Sequence, residues 1–233
     1  MPQCRQARCR CSPHRQGRLS RLDAQTIVTL SRTLDSDFEP CGRSGSRGVP
    51  FRATLASHGY NVIAKCTPSD FVAYLRHEAT IYHWLRTIQG NCVPIHLGNL
   101  NFEQPYRYEG IAKLVHVMFL ECGGTPIFRQ WRELDQNSAL GQVERCLRAI
   151  HERGVLHRDV MPRNILWDCD SGRATVIDFE RAKVIPNRPI LGPLSVNRKR
   201  KQQHGSCGKK HTTYNERLFA QEVAEARDEI SCL

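Results

Sequence analysis

Between Gly154 and Glu180 the sequence reads GVLHRDVMPRNILWDCDSGRATVIDFE, which places Asp159, then Asn164 five residues later and Asp178 nineteen residues after Asp159, among short apolar runs. An aspartate beside an attacking hydroxyl can accept its proton. An amide oxygen with a second carboxylate offers hard ligands that suit the Mg²⁺ of a nucleotide, so the set points to phosphoryl transfer. Ile165 to Trp167 and Ala174 to Ile177 are short and rich in β-branched residues, and Asp168, Cys169, Asp170, Ser171 and Gly172 form the polar turn of a hairpin between them. Asn164 enters that hairpin and Asp178 leaves it, so two antiparallel strands bring both proposed metal ligands to one end. Taken singly, His157-Arg158-Asp159 reads as a turn and Asp178 as a helix cap; the ordered set with matched separations favours the site.

The stretch resembles the catalytic loop and metal-binding segment of eukaryotic protein kinases. The resemblance implies a lysine upstream on a strand and a carboxylate on the helix that follows. Asn61-Val62-Ile63-Ala64-Lys65 is a short apolar strand ending in lysine, close to the VAIK pattern. Thr67-Pro68-Ser69-Asp70 then reads as a helix start, with a hydroxyl cap, proline in the first turn and an acid near the positive end of the dipole; the helix is expected to run to about Ile88. Phe71, Leu75, Tyr82 and Leu85 fall at helical spacing, and Glu78 stands in that stripe where an apolar residue belongs. An inward carboxylate needs a cation, and Lys65 is the expected partner, held against the α- and β-phosphates. Alone, Lys65 reads as a solvated strand end and Glu78 as a helix-surface acid. The two are thirteen residues apart, fewer than in most protein kinases and nearer to small-molecule kinases.

Ile111 to Leu120 is an apolar strand running into Glu121-Cys122-Gly123-Gly124, similar to a kinase hinge, with Met118 as gatekeeper and the backbone of Phe119, Leu120 and Glu121 facing the adenine edge. Gln136 to Arg153, with Leu140, Val143, Leu147 and Ile150 at helical spacing and Gly154 as its stop, is the helix that carries the catalytic loop. A phosphate-covering loop is expected at Gly45 and Gly48, the latter seventeen residues before Lys65. That pattern is imperfect. Arg43 sits where a first glycine belongs, Pro50 is unfavourable inside the hairpin's second strand, and a Gly/Ser/Arg linker is an equal reading.

Met161 holds the place where serine/threonine kinases carry a phosphate-contacting lysine, whereas Arg163 stands where receptor tyrosine kinases have an arginine in a similar loop. Glu180 replaces the glycine of DFG, and only 55 residues follow Asp178, with no APE-like motif. The motifs HEATIY, GVLHRDVMPRN and IDFERA resemble short kinase-like proteins of filamentous fungi. The resemblance implies an α+β, protein kinase-like two-lobed fold with a small β-rich N-lobe and a truncated helical C-lobe. It also implies ATP-dependent transfer to a hydroxyl, with Asp159, Arg163 and Lys65 as catalytic groups, ATP and Mg²⁺ as cofactors, and a protein or small molecule as acceptor. Two alternatives stay open: a pseudokinase-type nucleotide-binding or interaction module without turnover, and a small-molecule kinase.

The expected organisation is a basic arm over 1–38, N-lobe and hinge over 39–124, C-lobe over 125–185, a basic linker over 186–212 and a terminal helix over 213–233. A chain of 233 residues with 40% hydrophobic content can bury one compact two-lobed domain. The net charge of +11 belongs to the flanks: residues 1–22 hold six arginines and no acid, and residues 181–213 hold nine basic residues and no acid. Asn197-Arg198-Lys199-Arg200-Lys201 suits a nuclear-import signal, an anionic surface or a plain solvated linker, and no aromatic interleaving supports nucleic-acid binding. Eleven cysteines, no apolar leader and no eighteen-residue apolar run argue for an intracellular protein, cytoplasmic or nuclear, without a membrane span. Cys4, Cys9, Cys11 and His14 match no zinc spacing, and Pro2, Pro13 and Gly17 interrupt a transit-type helix.

Overall fold

A computed structural model describes residues 38–41, 47–55, 60–110, 112–185 and 214–233. The basic arm, Gly42, Arg43 and Gly45 of the expected phosphate loop, Ile111 and the basic linker lie outside the described residues. Strands β1 (Phe38–Pro40), β2 (Val49–Leu55), β3 (Tyr60–Pro68), β4 (His96–Tyr108) and β5 (Ala112–Glu121) form a sheet in the order β1-β2-β3-β5-β4 with every pairing antiparallel. Helix α1 (Val72–Trp84) packs on that sheet. The C-lobe comprises β6 (Thr125–Pro126), α2 (Gln136–His151), β7 (Val155–Leu156), β8 (Ile165–Asp168), β9 (Arg173–Val176), β10 (Lys183–Val184) and α3 (Tyr214–Ser231). The fold is α+β and kinase-like, a β-rich lobe joined to a short helical one.

The period of two along a strand decides what reaches the cleft. On β3, Val62, Ala64 and Cys66 enter the small apolar core of the sheet with Val117 and Phe119 of β5, which leaves Lys65 on the other face opposite Met118. Met118 and Leu120 join a larger core that continues through α1 into α2 and α3. Tyr82 and Phe179 link the lobes there, with ring centroids 5.2 Å apart and both side chains fully buried. Burial of aromatics this size contributes about 1.5–3 kcal/mol each.

Four expectations change. Proline and the acid at 68–70 do not start α1, because β3 continues through Pro68 and a 3₁₀ turn, Ser69–Phe71, intervenes. The Thr67 hydroxyl donates to the Arg47 carbonyl at 2.5 Å instead of capping the helix. At its other end α1 stops at Trp84, and a second 3₁₀ turn carries the chain to Ile88. Pro50 does lie within β2: its carbonyl accepts from Cys41 N–H at 2.9 Å, so its missing donor faces the side where β1 has just ended and away from the β2–β3 ladder.

The expected hinge also sits deeper in the sheet. Phe119 pairs with Ala64 and Gly98, Leu120 with Ile63 and His96, and Glu121 N–H donates to Ile95 at 2.9 Å, so the chain leaves the sheet at Cys122 to Gly124.

Asp135 caps α2 by accepting from Asn137 and Ser138 N–H groups, and Val143, Leu147 and Ile150 are buried as their spacing demands. The β8–β9 hairpin turns at Gly172, whose φ of +63° suits glycine and whose N–H donates to Asp168 O at 2.9 Å. No helix among the described residues is long and apolar enough to cross a membrane.

Candidate active site

Lys65 is the centre of the cleft. Its Nζ donates to Glu78 Oε2 at 2.6 Å and to Asp178 Oδ1 at 2.7 Å, joining β3, α1 and the segment after β9. Burial opposes the lysine charge, but the two carboxylates outweigh it and hold the ammonium above its ordinary range. For Asp178 burial pushes the other way from Lys65, and the lysine wins: the carboxyl lies below its ordinary value. For Glu78 burial wins, and its carboxyl is pushed up even against Lys65. Glu78 Oε1 is buried with no hydrogen-bond partner among the described residues.

The catalytic loop follows β7. Asp159 accepts from Arg163 Nη2, both oxygens at 3.2 Å, and from Asn164 Nδ2 at 3.2 Å, while Asn164 Nδ2 also donates to the Asp159 carbonyl at 2.9 Å. Arg181 Nη1 lies 4.0 Å from Asp159 Oδ1, a second cation that the sequence reasoning did not single out. Ile177 N–H donates to the Asn164 carbonyl at 2.9 Å, which seats Asp178 beside Asn164 at the end of the hairpin. Asp178 occupies the left-handed region at φ +69°, as aspartate tolerates better than most residues. An amide oxygen and a carboxylate are hard donors, and their chemistry fits Mg²⁺; no cluster of three or more His, Cys, Asp or Glu forms a metal cage among the described residues.

His157 is a scaffold residue. Its Nε2–H donates to the Ile177 carbonyl at 2.9 Å, its Nδ1 accepts from Asp159 N–H at 3.3 Å, and its ring lies 4.7 Å from that of Phe179. One donor and one acceptor define a neutral imidazole, and burial lowers its pKa in agreement.

Glu222 is a second residue that sequence reasoning missed. It projects from α3 into the back of the catalytic loop, where Oε2 accepts from His157 N–H at 3.1 Å and from His151 Nε2 at 2.7 Å, and Oε1 accepts from Arg158 N–H at 2.6 Å. Arg158 has φ +68°, and the short bond to Glu222 holds it there. Burial would raise the Glu222 carboxyl, yet the bonds from His151, Arg158 and His157 together bring it below its ordinary value. The signal was available: Glu222 interrupts the stripe of Phe219, Val223, Ala226 and Ile230, as Glu78 interrupts that of α1.

Gly48 of the expected phosphate loop directly precedes β2. A Cβ there would come within 2.7 Å of Cys66 O, so glycine lets the loop lie against β3. Arg47 just before it forms an ion pair with Glu180.

A phosphotransferase enzyme family matches residues 126–186, the span that contains β8, β9 and the catalytic loop. Over 201 residues the chain is 29% identical to the meiotic driver SPOK2 of Podospora anserina, covering 74% of this chain and 25% of that protein. It is 38% identical over 93 residues to the serine/threonine-protein kinase PDK1 of Cryptococcus neoformans, 37% of this chain and 8% of the kinase. It is 29% identical over 93 residues to the serine/threonine-protein kinase ppk21 of Schizosaccharomyces pombe, 38% of this chain and 17% of the kinase. The chain thus spans a quarter or less of the length of each of these relatives. With the two-lobed fold and the Lys65–Glu78–Asp178 arrangement at its centre, these similarities make the chain kinase-like, similar to phosphotransferases and to protein kinases that include fungal ones.

Proposed function

We propose that this domain binds ATP with Mg²⁺ and transfers the γ-phosphoryl group to a hydroxyl of a protein or small molecule. The observation that carries the reading is the Lys65 ammonium fixed between Glu78 and Asp178 at 2.6 and 2.7 Å. A cation already oriented by two carboxylates needs little reorganisation to meet phosphate oxygens. Asp178 and Asn164 would hold Mg²⁺, which would offset the charge of the phosphates. Asp159 orients the acceptor hydroxyl and takes its proton, and Arg163 beside it neutralises charge on the transferred group. The Phe119, Leu120 and Glu121 stretch with Met118 borders the adenine end, and Gly48, with Gly45 preceding it, covers the phosphates. ATP supply makes the cytoplasm or nucleus the fitting compartment.

The test uses Asp159→Asn. Asparagine keeps the size of the side chain but cannot accept the proton, so affinity for Mg-ATP should stay within about twofold while turnover falls by about 10²-fold or more. A wild-type chain that binds Mg-ATP yet turns over no faster than Asp159→Asn, across protein and small-molecule acceptors, would falsify phosphoryl transfer and leave a binding module.

A further inference from the structure

Arg47 stands where its charge meets a carboxylate that the proposed reaction does not use. Its carbonyl is fixed by the Thr67 hydroxyl at 2.5 Å, and its guanidinium carbon lies 4.2 Å from the centre of the Tyr74 ring on α1. The guanidinium is ion-paired to Glu180, two residues beyond Asp178. Arg47, Gly48, Lys65, Thr67, Tyr74 and Glu180 line one narrow cleft. Two basic and three acidic side chains therefore share this region: Lys65 with Glu78 and Asp178, and Arg47 with Glu180.

The two pairs differ in what they can release. Glu78 is 1% exposed and Lys65 has two acceptors, so that ammonium stays where it is. Arg47 and Glu180 are 33% and 17% exposed, and a single partly solvated ion pair exchanges its partner at low cost. A guanidinium presents a planar fork, and two oxygens of a polyphosphate satisfy more of its N–H groups than one carboxylate oxygen does. Stacking on Tyr74 holds the guanidinium at that wall of the cleft.

Resting on the proposed nucleotide site, we infer that Arg47 is a phosphate-binding residue that Glu180 occupies when no nucleotide is present, so that Glu180 competes with the polyphosphate for one guanidinium. Glu180 thereby sets the affinity of the site without touching the nucleotide. The exchange is noncovalent and leaves every protonation state unchanged.

The experiment measures Mg-ATP affinity by calorimetry on the full chain for wild type, Arg47→Met, Glu180→Gln and the double variant. Glu180→Gln should bind about three- to tenfold more tightly, Arg47→Met about tenfold more weakly, and the double variant no more tightly than Arg47→Met. Glu180→Ala replaces Glu180→Gln if the glutamine variant does not fold, with the same expected gain. A glutamate variant that binds no more tightly than wild type, or a gain that persists without Arg47, overturns the competition while leaving the nucleotide site standing. Absence of Mg-ATP binding in the wild type and in all variants overturns both.

Discussion

Glu78 and Glu222 are both buried glutamates set in the apolar stripe of a helix, one in each lobe, yet their environments shift their carboxyls in opposite directions. Glu78 has one donor, the Lys65 ammonium at 2.6 Å, and an oxygen with no hydrogen-bond partner among the described residues. Glu222 has three donors shared between its two oxygens, two of them backbone N–H groups that have this carboxylate as their acceptor. Burial is the largest influence on both, and the number of donors decides whether it prevails. The physical lesson is a division of labour. A carboxylate saturated by backbone and ring donors stabilises a conformation, whereas one with spare capacity and a single ammonium as its donor orients chemistry at some cost to the fold.

The largest effect expected from breaking this contrast is on stability at Glu222. Glu222→Ala removes the acceptor of two backbone donors, the buried His157 N–H and the part-buried Arg158 N–H, and of His151, and should cost about 3–5 kcal/mol in denaturant unfolding. Glu222→Gln keeps an acceptor and should cost less, but it removes this carboxyl's share of the acid-side pH dependence. Because the folded Glu222 pKa lies below its reference value of 4.5, its contribution is complete above pH 4.5 and is lost as pH falls from there through the folded value. The wild-type stability curve should therefore drop more steeply in that window than the curve for Glu222→Gln; parallel curves would show that the carboxylate does not hold the loop.

Glu78→Gln should show the converse pattern. Packing is retained and the partner of Lys65 loses its charge, so turnover should fall by about 10²-fold or more while unfolding stability changes by about 1 kcal/mol or less. Combined with Lys65→Met it should add little to the loss from either change alone; additive losses in kcat/KM would mean that the two side chains act separately. The smallest effect belongs to the rim of α3. Arg227 pairs with Glu144 at 2.6 Å while 59% exposed, and Arg227→Ala should cost less than about 1 kcal/mol and leave turnover unchanged. A larger loss would mean that α3 is held at its surface as well as through Glu222 and the Phe219–His151 stack, whose ring centres lie 4.5 Å apart.

Local pattern was sufficient wherever one element carried its own signal. The short apolar strand ending in Lys65, the interrupted stripe that marked Glu78 on α1 as inward, and the hairpin turn at Asp168 to Gly172 that set Asn164 and Asp178 at one end were all legible. These are periodicities and turn chemistries, which the chain expresses before it folds. Element ends were less legible. Thr67 had a cap's chemistry, but pairing of Cys66 and Thr67 with Val117 and His116 kept the strand going, and the hydroxyl found Arg47 instead.

What only the tertiary structure decided are contacts between segments far apart in sequence. Glu222 meets Arg158 across 64 residues, and Arg47 meets Glu180 across 133. Both acids were visible as letters, one in an apolar stripe and one in place of a glycine, but the sequence does not say which backbone donors or which arginine will face them. That depends on how the helix and the hairpin pack, because a hydrogen bond needs its partners within about 3 Å and only the folded core fixes positions that closely.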